Sequence, residues 1–214
     1  ITMDKLFGTD GIRGIANRFP MTPEVVLNIG KATAHVFREK YGKKRPKLVI
    51  GRDTRLSGCM IENALTSGLL SAGADVFLVG HVPTPAVAHV TKSLNVDAGV
   101  VISASHNPAA DNGIKIFRGD GYKLSDDVEE EIERYILTEK VKTEHITGSF
   151  IGNVYSVDDA KGRYIEFAKA SVKGLNLQGL KIVLDCANGA AYNTAPPVFR
   201  ELCAEVIVLN DKPD

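Results

Sequence analysis

The sequence predicts an α/β protein: a three-layer α/β/α domain with a mostly parallel mixed sheet, followed by the start of a second similar domain. Short runs such as Leu48–Gly51 and Ala98–Ser103 are apolar on both faces, as strands of a covered parallel sheet are. Segments with a hydrophobic period near 3.6 lie between these runs and predict helices. A polar stretch without periodicity, Thr138–Asn153, interrupts the alternation before it restarts.

Before this interruption the sequence predicts four strands and four helices. The predicted strands are Leu48–Gly51, Val76–Gly80, Ala98–Ser103 and Ile114–Phe117. The helices start or stop at capping residues: one begins with Thr22 as N-cap and Pro23 behind it, one spans Ser57–Ala72 before Gly73, one follows Pro85, and one begins at Ser125. Strands and helices alternate here, so we assign residues 4–147 to the first domain.

The restarted pattern predicts an incomplete second domain over residues 154–214. It contains, in order, a helix near Val157–Val172, a strand at Lys181–Asp185, a helix around Ala195–Cys203 and a strand at Val206–Leu209. About 60 residues are close to the lower limit for an independent core.

Charge and cysteine content exclude several classes of protein. The 26 basic and 26 acidic residues cancel, so no net field attracts nucleic acid or an anionic membrane, and we expect neither as a partner. No apolar run is long enough to span a membrane and no signal-peptide pattern is present, so we expect a cytoplasmic protein. The three cysteines, Cys59, Cys186 and Cys203, fit neither a disulfide framework nor a zinc site and are expected to be buried.

The candidate chemistry lies in Ser103-Ala-Ser-His-Asn-Pro108, directly after the strand that begins at Ala98. Ligands of open α/β sheets bind beyond the carboxyl ends of strands, which suits a reactive serine. Serine, asparagine and proline are also common loop formers, so this segment alone leaves a structural interpretation equally open.

Two other segments offer phosphate-binding groups. Gly8-Thr-Asp-Gly-Ile-Arg-Gly14 carries Arg13 between glycines, and Asp111-Asn-Gly-Ile-Lys115 carries Lys115. Arginine presents a planar fork to phosphate oxygens and lysine a point charge. The third polar loop, Gly51-Arg-Asp-Thr-Arg55, is interpreted as an internal arginine–aspartate network that braces the loops.

In order and spacing these four segments resemble the α-D-phosphohexomutases, and the resemblance covers essentially the whole chain. Within that family Phe7–Gly14 and Ser103–Pro108 look like the phosphoglucosamine mutase branch. The resemblance implies that Ser105 is the residue carried as phosphoserine, while Ser103 is structural. It implies catalytic or phosphate-binding roles for four more residues: Arg13, His106, Asn107 and Lys115.

The implied reaction interconverts glucosamine 6-phosphate and glucosamine 1-phosphate through phosphoserine and a bound bisphosphate, with Mg²⁺ as cofactor. A phosphate oxygen on Ser105 is the only implied metal ligand, because the family's Asp-Gly-Asp-Gly-Asp-Arg loop is absent. The sugar-selecting and second phosphate-binding domains are absent too. We therefore expect an N-terminal fragment that is inactive alone; a homodimer is left open.

Three alternatives remain. The first is a phosphomannomutase or phosphoglucomutase of the same family. The second is a non-catalytic module that binds sugar phosphates. The third, a serine hydrolase using Ser105 and His106, is disfavoured because adjacent residues of an extended loop are expected to point apart and no GxSxG motif occurs.

Overall fold

A computed structural model describes residues 5–138 and 141–213. The eight strands are β1 (Ile12–Ile15), β2 (Lys47–Arg52), β3 (Asp75–His81), β4 (Ala98–Ile102), β5 (Asp111–Arg118), β6 (Val154–Ser156), β7 (Lys181–Asp185) and β8 (Glu205–Leu209). The six α-helices are α1 (Pro23–Tyr41), α2 (Gly58–Ser71), α3 (Thr84–Ser93), α4 (Asp126–Thr138), α5 (Ala160–Ala170) and α6 (Ala195–Glu201). None of the described helices is long and apolar enough to cross a membrane.

The first six strands form one mixed sheet in the order β1-β5-β4-β2-β3-β6. Strands β2, β3, β4 and β6 pair in parallel, whereas β5 runs antiparallel to both β4 and β1. Helices cover both faces of this sheet, which confirms the predicted three-layer α/β/α class and the mostly parallel sheet.

The two faces of β2 and β4 enter separate cores, which explains their continuous hydrophobicity. Leu48, Ile50 and Val100 pack with α1, α2 and α4 on one side. Val49 and Val101 pack with α3 and α5 on the other side. Because neither face of these strands meets water, the apolar runs identified them correctly.

The predicted capping residues confirm three helix boundaries. Thr22 Oγ1 accepts a hydrogen bond from the Val25 amide at 3.4 Å at the start of α1. Gly73, which follows α2, adopts a left-handed φ of 82° that glycine tolerates without a steric penalty. The amides of Val128 and Glu129 bond to the carbonyl of Ser125 at the start of α4.

The first sheet extends beyond the predicted first domain. Strand β6 begins at Val154, the first residue assigned to the second domain, yet it pairs with β3 at the edge of the six-stranded sheet. Strands β7 and β8 form a separate parallel pair. The division into residues 4–147 and 154–214 stays a prediction, and its outer limits, 4 and 214, lie outside the described residues.

The expectation of three buried cysteines is wrong. Cys186 is buried, but Cys59 and Cys203 are exposed. Cys59 lies on the solvent side of the first turn of α2, and Cys203 follows α6 at a φ of 73°. Burial here follows from the position on the element rather than from the side chain's polarity.

Candidate functional site around Ser105

The loop that carries Ser105 connects β4 to β5 at the carboxyl end of β4, as predicted. Ser103 is buried at its start, and its amide donates to the carbonyl of Gly113 at 2.9 Å. The hydroxyl of Ser103 accepts a hydrogen bond from the Ser105 amide at 3.0 Å. Ser103 therefore has the structural position expected of it, inside the turn.

Ser105 is exposed and has a left-handed backbone, with φ at 58°. This conformation costs a non-glycine residue about 1–2 kcal/mol, so the surrounding contacts must stabilise it. Ser105 lines a cavity of about 630 Å³ together with His106 and Asn107. A nucleophilic or phosphorylated side chain at this position faces a space large enough for a sugar phosphate.

The neighbours of Ser105 have distinct contacts. The Ser105 hydroxyl lies 3.4 Å from Nδ1 of His106, so these side chains converge, and the expectation that they point apart is wrong. The turn at Ser105 allows the contact, because the loop is not extended there. Asn107 donates from its side chain to Asp111 at 3.0 Å and from its amide to the Ala104 carbonyl, which closes the loop.

Arg13 and Lys115 lie on one face of neighbouring strands. Arg13 is opposite Gly113 in the β1–β5 pair, and Lys115 follows two residues later in β5. Their side chains share one carboxylate: Asp10 is 3.2 Å from Arg13 Nη2 and 3.4 Å from Lys115 Nζ. The structure thus brings these two cations together but not into the lining of the Ser105 cavity.

Gly113 lies between Arg13 and the base of the serine loop. A Cβ atom at Gly113 would lie 2.9 Å from Cγ of Arg13 and 2.9 Å from the carbonyl oxygen of Ser103. The Arg13 side chain therefore passes over Gly113 of β5, beside the base of the serine loop. It can take this path only because Gly113 lacks a side chain. The Nε atom of Arg13 is buried and has no hydrogen-bond partner among the described residues.

The loop Gly51–Arg55 is a brace, as the sequence predicts. Asp53 accepts hydrogen bonds from the backbone and from Nε of Arg55, at 3.0 and 3.1 Å. The terminal nitrogens of Arg55 donate to carbonyls of the serine loop, including that of Ser105 at 3.0 Å. An internal arginine–aspartate pair thereby reaches across and holds the neighbouring loop.

The opposite wall of the cavity comes from the segment after β7. Ala187, Asn188 and Gly189 line it, and Thr54 Oγ1 donates to the carbonyl of Asn188 at 2.6 Å. Beside this contact, Asn193 donates from its side chain to the carbonyl of His81 at 3.0 Å. Sequence analysis missed these residues, because contacts across more than 100 positions leave no local pattern.

His81, to which no role was assigned, borders the brace. It contacts the guanidinium of Arg52, which also pairs with Glu62 at 3.1 Å. Burial, followed by the charge of Arg52, lowers the pKa of His81 below its ordinary value. A neutral imidazole is therefore favoured at this position.

The serine loop and the segments beside it are matched by a known protein family. The family model described as "Phosphoglucomutase/phosphomannomutase, alpha/beta/alpha domain I" matches residues 4–143, about two thirds of the chain. The chain belongs to the phosphoglucomutase/phosphomannomutase family. The match spans the serine loop and the segments that carry Arg13 and Lys115, so the expected resemblance to phosphohexomutases is confirmed.

Relatives within the phosphoglucomutase/phosphomannomutase family include two curated phosphoglucosamine mutases. That of Citrifermentans bemidjiense is 55% identical over 213 residues, and that of Syntrophus aciditrophicus 56%. Each alignment covers 99% of this chain and 46% or 47% of the relative, so the chain spans about half the length of these relatives. A solved structure of a phosphoglucomutase/phosphomannomutase family protein from Burkholderia thailandensis is 30% identical, with a TM-score of 0.79 over 98% of this chain and 44% of that one.

Nowhere within 5–138 and 141–213 do three or more histidine, cysteine, aspartate or glutamate side chains cluster as metal ligands. The carboxylates near the site are already paired: Asp53 with Arg55, Asp111 with Asn107, and Asp10 with Arg13 and Lys115. The chemistry of this donor set does not fit Mg²⁺ without further oxygen ligands.

Proposed function

We propose that the protein to which this chain belongs interconverts glucosamine 6-phosphate and glucosamine 1-phosphate, with Ser105 as the phosphoryl carrier. The observation that carries the proposal is the position of Ser105: exposed at the carboxyl end of β4, in a left-handed turn that faces a cavity of about 630 Å³. The family match makes a phosphohexomutase reaction the chemistry that suits this serine.

The reaction consists of two phosphoryl transfers. In the first, the bond between phosphorus and Ser105 Oγ breaks while a bond forms to the free hydroxyl of the sugar monophosphate, whose proton passes by way of a nearby base to the leaving Ser105 oxygen. The product is a bound bisphosphate. In the second, Ser105 Oγ takes the other phosphoryl group, a proton returns to the leaving sugar oxygen, and the isomeric monophosphate is released. Such transfers require alignment and charge neutralisation more than covalent chemistry.

Besides Ser105, four residues have proposed roles in these steps. Arg13 and Lys115 provide positive charge for the phosphoryl group, since a dianionic phosphoserine needs fixed cationic partners. Either His106 accepts and returns the proton, or Lys115 does so in its neutral form while Arg13 alone supplies the charge. Asn107 orients the loop through its hydrogen bond to Asp111. The Nε of Arg13, which has no hydrogen-bond partner among the described residues, supports a role for this guanidinium toward an incoming oxygen.

The choice of glucosamine phosphates rests on the relatives. Curated proteins about 55% identical to this chain are named phosphoglucosamine mutases. A phosphomannomutase or phosphoglucomutase activity is the alternative, favoured by the name of the Burkholderia thailandensis family member. We expect the complete gene product to turn over glucosamine 1-phosphate with a kcat/KM well above those for mannose 1-phosphate and glucose 1-phosphate; a reversed ranking would assign the alternative.

We further propose that Mg²⁺ is the cofactor and that a phosphate oxygen on Ser105 is the ligand contributed here, with the remaining ligands supplied from outside residues 1–214. Since no group of three or more histidine, cysteine, aspartate or glutamate ligands occurs among the described residues, we expect residues 1–214 by themselves to show no turnover. Turnover by this segment alone would contradict that. A non-catalytic module that binds sugar phosphates remains the second candidate, and absence of mutase activity in the complete gene product would favour it.

The decisive experiment compares two serines in the complete gene product. Ser105→Ala should abolish formation of glucosamine 1-phosphate in a coupled assay and remove the protein-bound phosphoryl group seen by intact mass, with circular dichroism unchanged. Ser103→Ala, the matched control two residues away, should retain the phosphoryl group and much of the activity. Substantial turnover by Ser105→Ala, or phosphate mapped to Ser103, would refute the assignment.

A further inference from the structure

Arg55 uses all of its side-chain N–H groups within the protein. A guanidinium has five such donors in a fixed fork. Nε donates to Asp53, Nη1 to the carbonyls of Pro108 and Asp111, and Nη2 to the carbonyls of Ser105 and Asn107. Four carbonyls between residues 105 and 111 are thereby tied to a single side chain 50 to 56 positions away in sequence.

Arg55 and Ser103 both hydrogen-bond to the backbone of Ser105, the residue with the left-handed conformation. The amide of Ser105 donates to Ser103 Oγ and its carbonyl accepts from Arg55, each at 3.0 Å. A residue in a sparsely populated backbone region persists only where its surroundings over-determine it. Bonds on both peptide groups of Ser105 meet that requirement, and those bonds set the direction of its hydroxyl.

Burial and charge argue against a direct role for Arg55 toward a ligand. Its side chain is 11% exposed and that of Asp53, its ion-pair partner, 14%. With its five donors occupied and its charge compensated by Asp53, Arg55 offers little to a phosphate, although it borders the same cavity. This separates it from Arg13, whose Nε lacks a partner among the described residues.

We infer that Arg55 is a positioning residue: its fork fixes residues 105–111 so that Ser105 Oγ is held in line for phosphoryl transfer. The expected loss of activity rests on the proposed function. The expected change in loop geometry rests on the hydrogen-bond pattern alone. Lysine cannot replace it, since an ammonium keeps the charge but not the planar five-donor fork.

Arg55→Lys in the complete gene product tests the inference, with Arg118→Lys as the matched control. Arg118 also pairs with an aspartate two residues away, Asp120, but beside the amino end of β4 rather than near its carboxyl end. We expect Arg55→Lys to lower kcat, and the single-turnover rate of phosphoryl transfer from a sugar bisphosphate to Ser105, by roughly 100-fold, as a misplacement of about 1 Å does. KM for the sugar phosphate should change by less than about threefold, because the donors of Arg55 are occupied within the protein and do not bind the substrate. Arg118→Lys should match the wild type.

Rescue and loop exchange distinguish positioning from general destabilisation. Guanidinium ion at millimolar concentration should restore part of the kcat of Arg55→Ala, at unchanged thermal midpoint, and should not affect Ser105→Ala. In Arg55→Lys the amides of residues 105–111 should exchange hydrogen at least tenfold faster, while those of α1 are unaffected. Wild-type kcat with unchanged exchange would overturn the inference.

Failure of the proposed function and failure of the positioning role would give different results. If the wild-type protein transfers no phosphoryl group at all, the proposed function fails and loop exchange alone decides the role of Arg55. If the wild type is active and Arg55→Lys loses activity only in proportion to its unfolded fraction, the proposed function stands and the positioning role is refuted.

Discussion

Two arginine–aspartate pairs, each with partners two residues apart, lie at opposite strand ends of the six-stranded sheet. Asp53 and Arg55 follow β2 at its carboxyl end, and their side chains are 14% and 11% exposed. Arg118 ends β5 opposite Ala98, and it and Asp120 are 46% and 49% exposed. Both side-chain hydrogen bonds of Arg118 among the described residues go to Asp120, whereas Arg55 also holds a neighbouring loop.

The difference between the pairs shows what turns a local ion pair into part of a site. The residue types and the two-residue spacing are the same, but the first pair faces the serine loop. The Ser105, Asn107 and Pro108 carbonyls that Arg55 binds there lie outside the strands of the described residues. An exposed pair gains little, because water competes and side-chain order costs entropy. A mostly buried guanidinium that satisfies several carbonyls leaves unpaired groups behind when it is disrupted.

The largest expected stability difference comes from removing each aspartate's charge. Asp53→Asn should lower the free energy of unfolding by about 2 kcal/mol, since it weakens charge-assisted hydrogen bonds to a mostly buried arginine. Asp120→Asn should leave the urea midpoint nearly unchanged. Equal losses for the two variants would remove the distinction between the pairs.

Backbone strain at Ser105 gives a second test of the loop. Ser105→Gly should be more stable than Ser105→Ala by about 1 kcal/mol, because glycine adopts the left-handed φ without steric cost. Ser67, exposed inside α2, is the control, and there glycine should be less stable than alanine by about 1 kcal/mol. Urea unfolding measures both pairs, and the same order at both positions would contradict strain at Ser105.

The hydrogen bond between Ser103 and Ser105 predicts a smaller loss of stability than Asp53→Asn does. Ser103→Ala removes the acceptor of the Ser105 amide and should cost about 1 kcal/mol of unfolding free energy. Ser67→Ala should be close to neutral in the same urea titration. A Ser103→Ala variant as stable as the wild type would mean that Arg55 alone sustains the turn.

The smallest effect is a pH dependence at His81, beside the brace. Its pKa is lowered from 6.5 by burial and by Arg52, and Lys161 lowers it further while Asp53 opposes. The unfolded chain therefore binds more protons at His81 than the folded chain. The stability that the neutral His81 contributes to the folded state is fully present above about pH 6.5 and is lost as the pH falls below that value. Wild-type protein should lose more stability than His81→Gln between about pH 7.5 and 5.5. Parallel curves for the two proteins would contradict this.

The sequence predicted most of the first sheet because its central strands are buried on both faces. It missed β1 and β6, which have four and three residues. Ile12-Arg-Gly-Ile15 reads as a glycine-bounded loop, and the residues of β6 are all exposed. Such strands are defined by the partners they pair with, β5 and β3, and pairing is not visible in a local hydrophobic pattern.

The candidate site divides in the same way. The serine loop and its brace were predictable, because strand ends and glycine-bounded polar segments mark them. The sharing of Asp10 by Arg13 and Lys115 was not, since it depends on the antiparallel register of β1 and β5. Nor was the cavity wall after β7, whose residues meet Thr54 only through the tertiary fold.

The anchor of that wall has a consequence for substitutions. Thr54 Oγ1 donates to the main-chain carbonyl of Asn188, so this contact does not depend on the side chain at position 188. Ala187 and Asn188 both have a left-handed φ, of 48° and 51°, which branched or bulky residues rarely adopt. Exchange of side chains along this wall is therefore limited by backbone conformation, while the anchoring hydrogen bond is compatible with any of them.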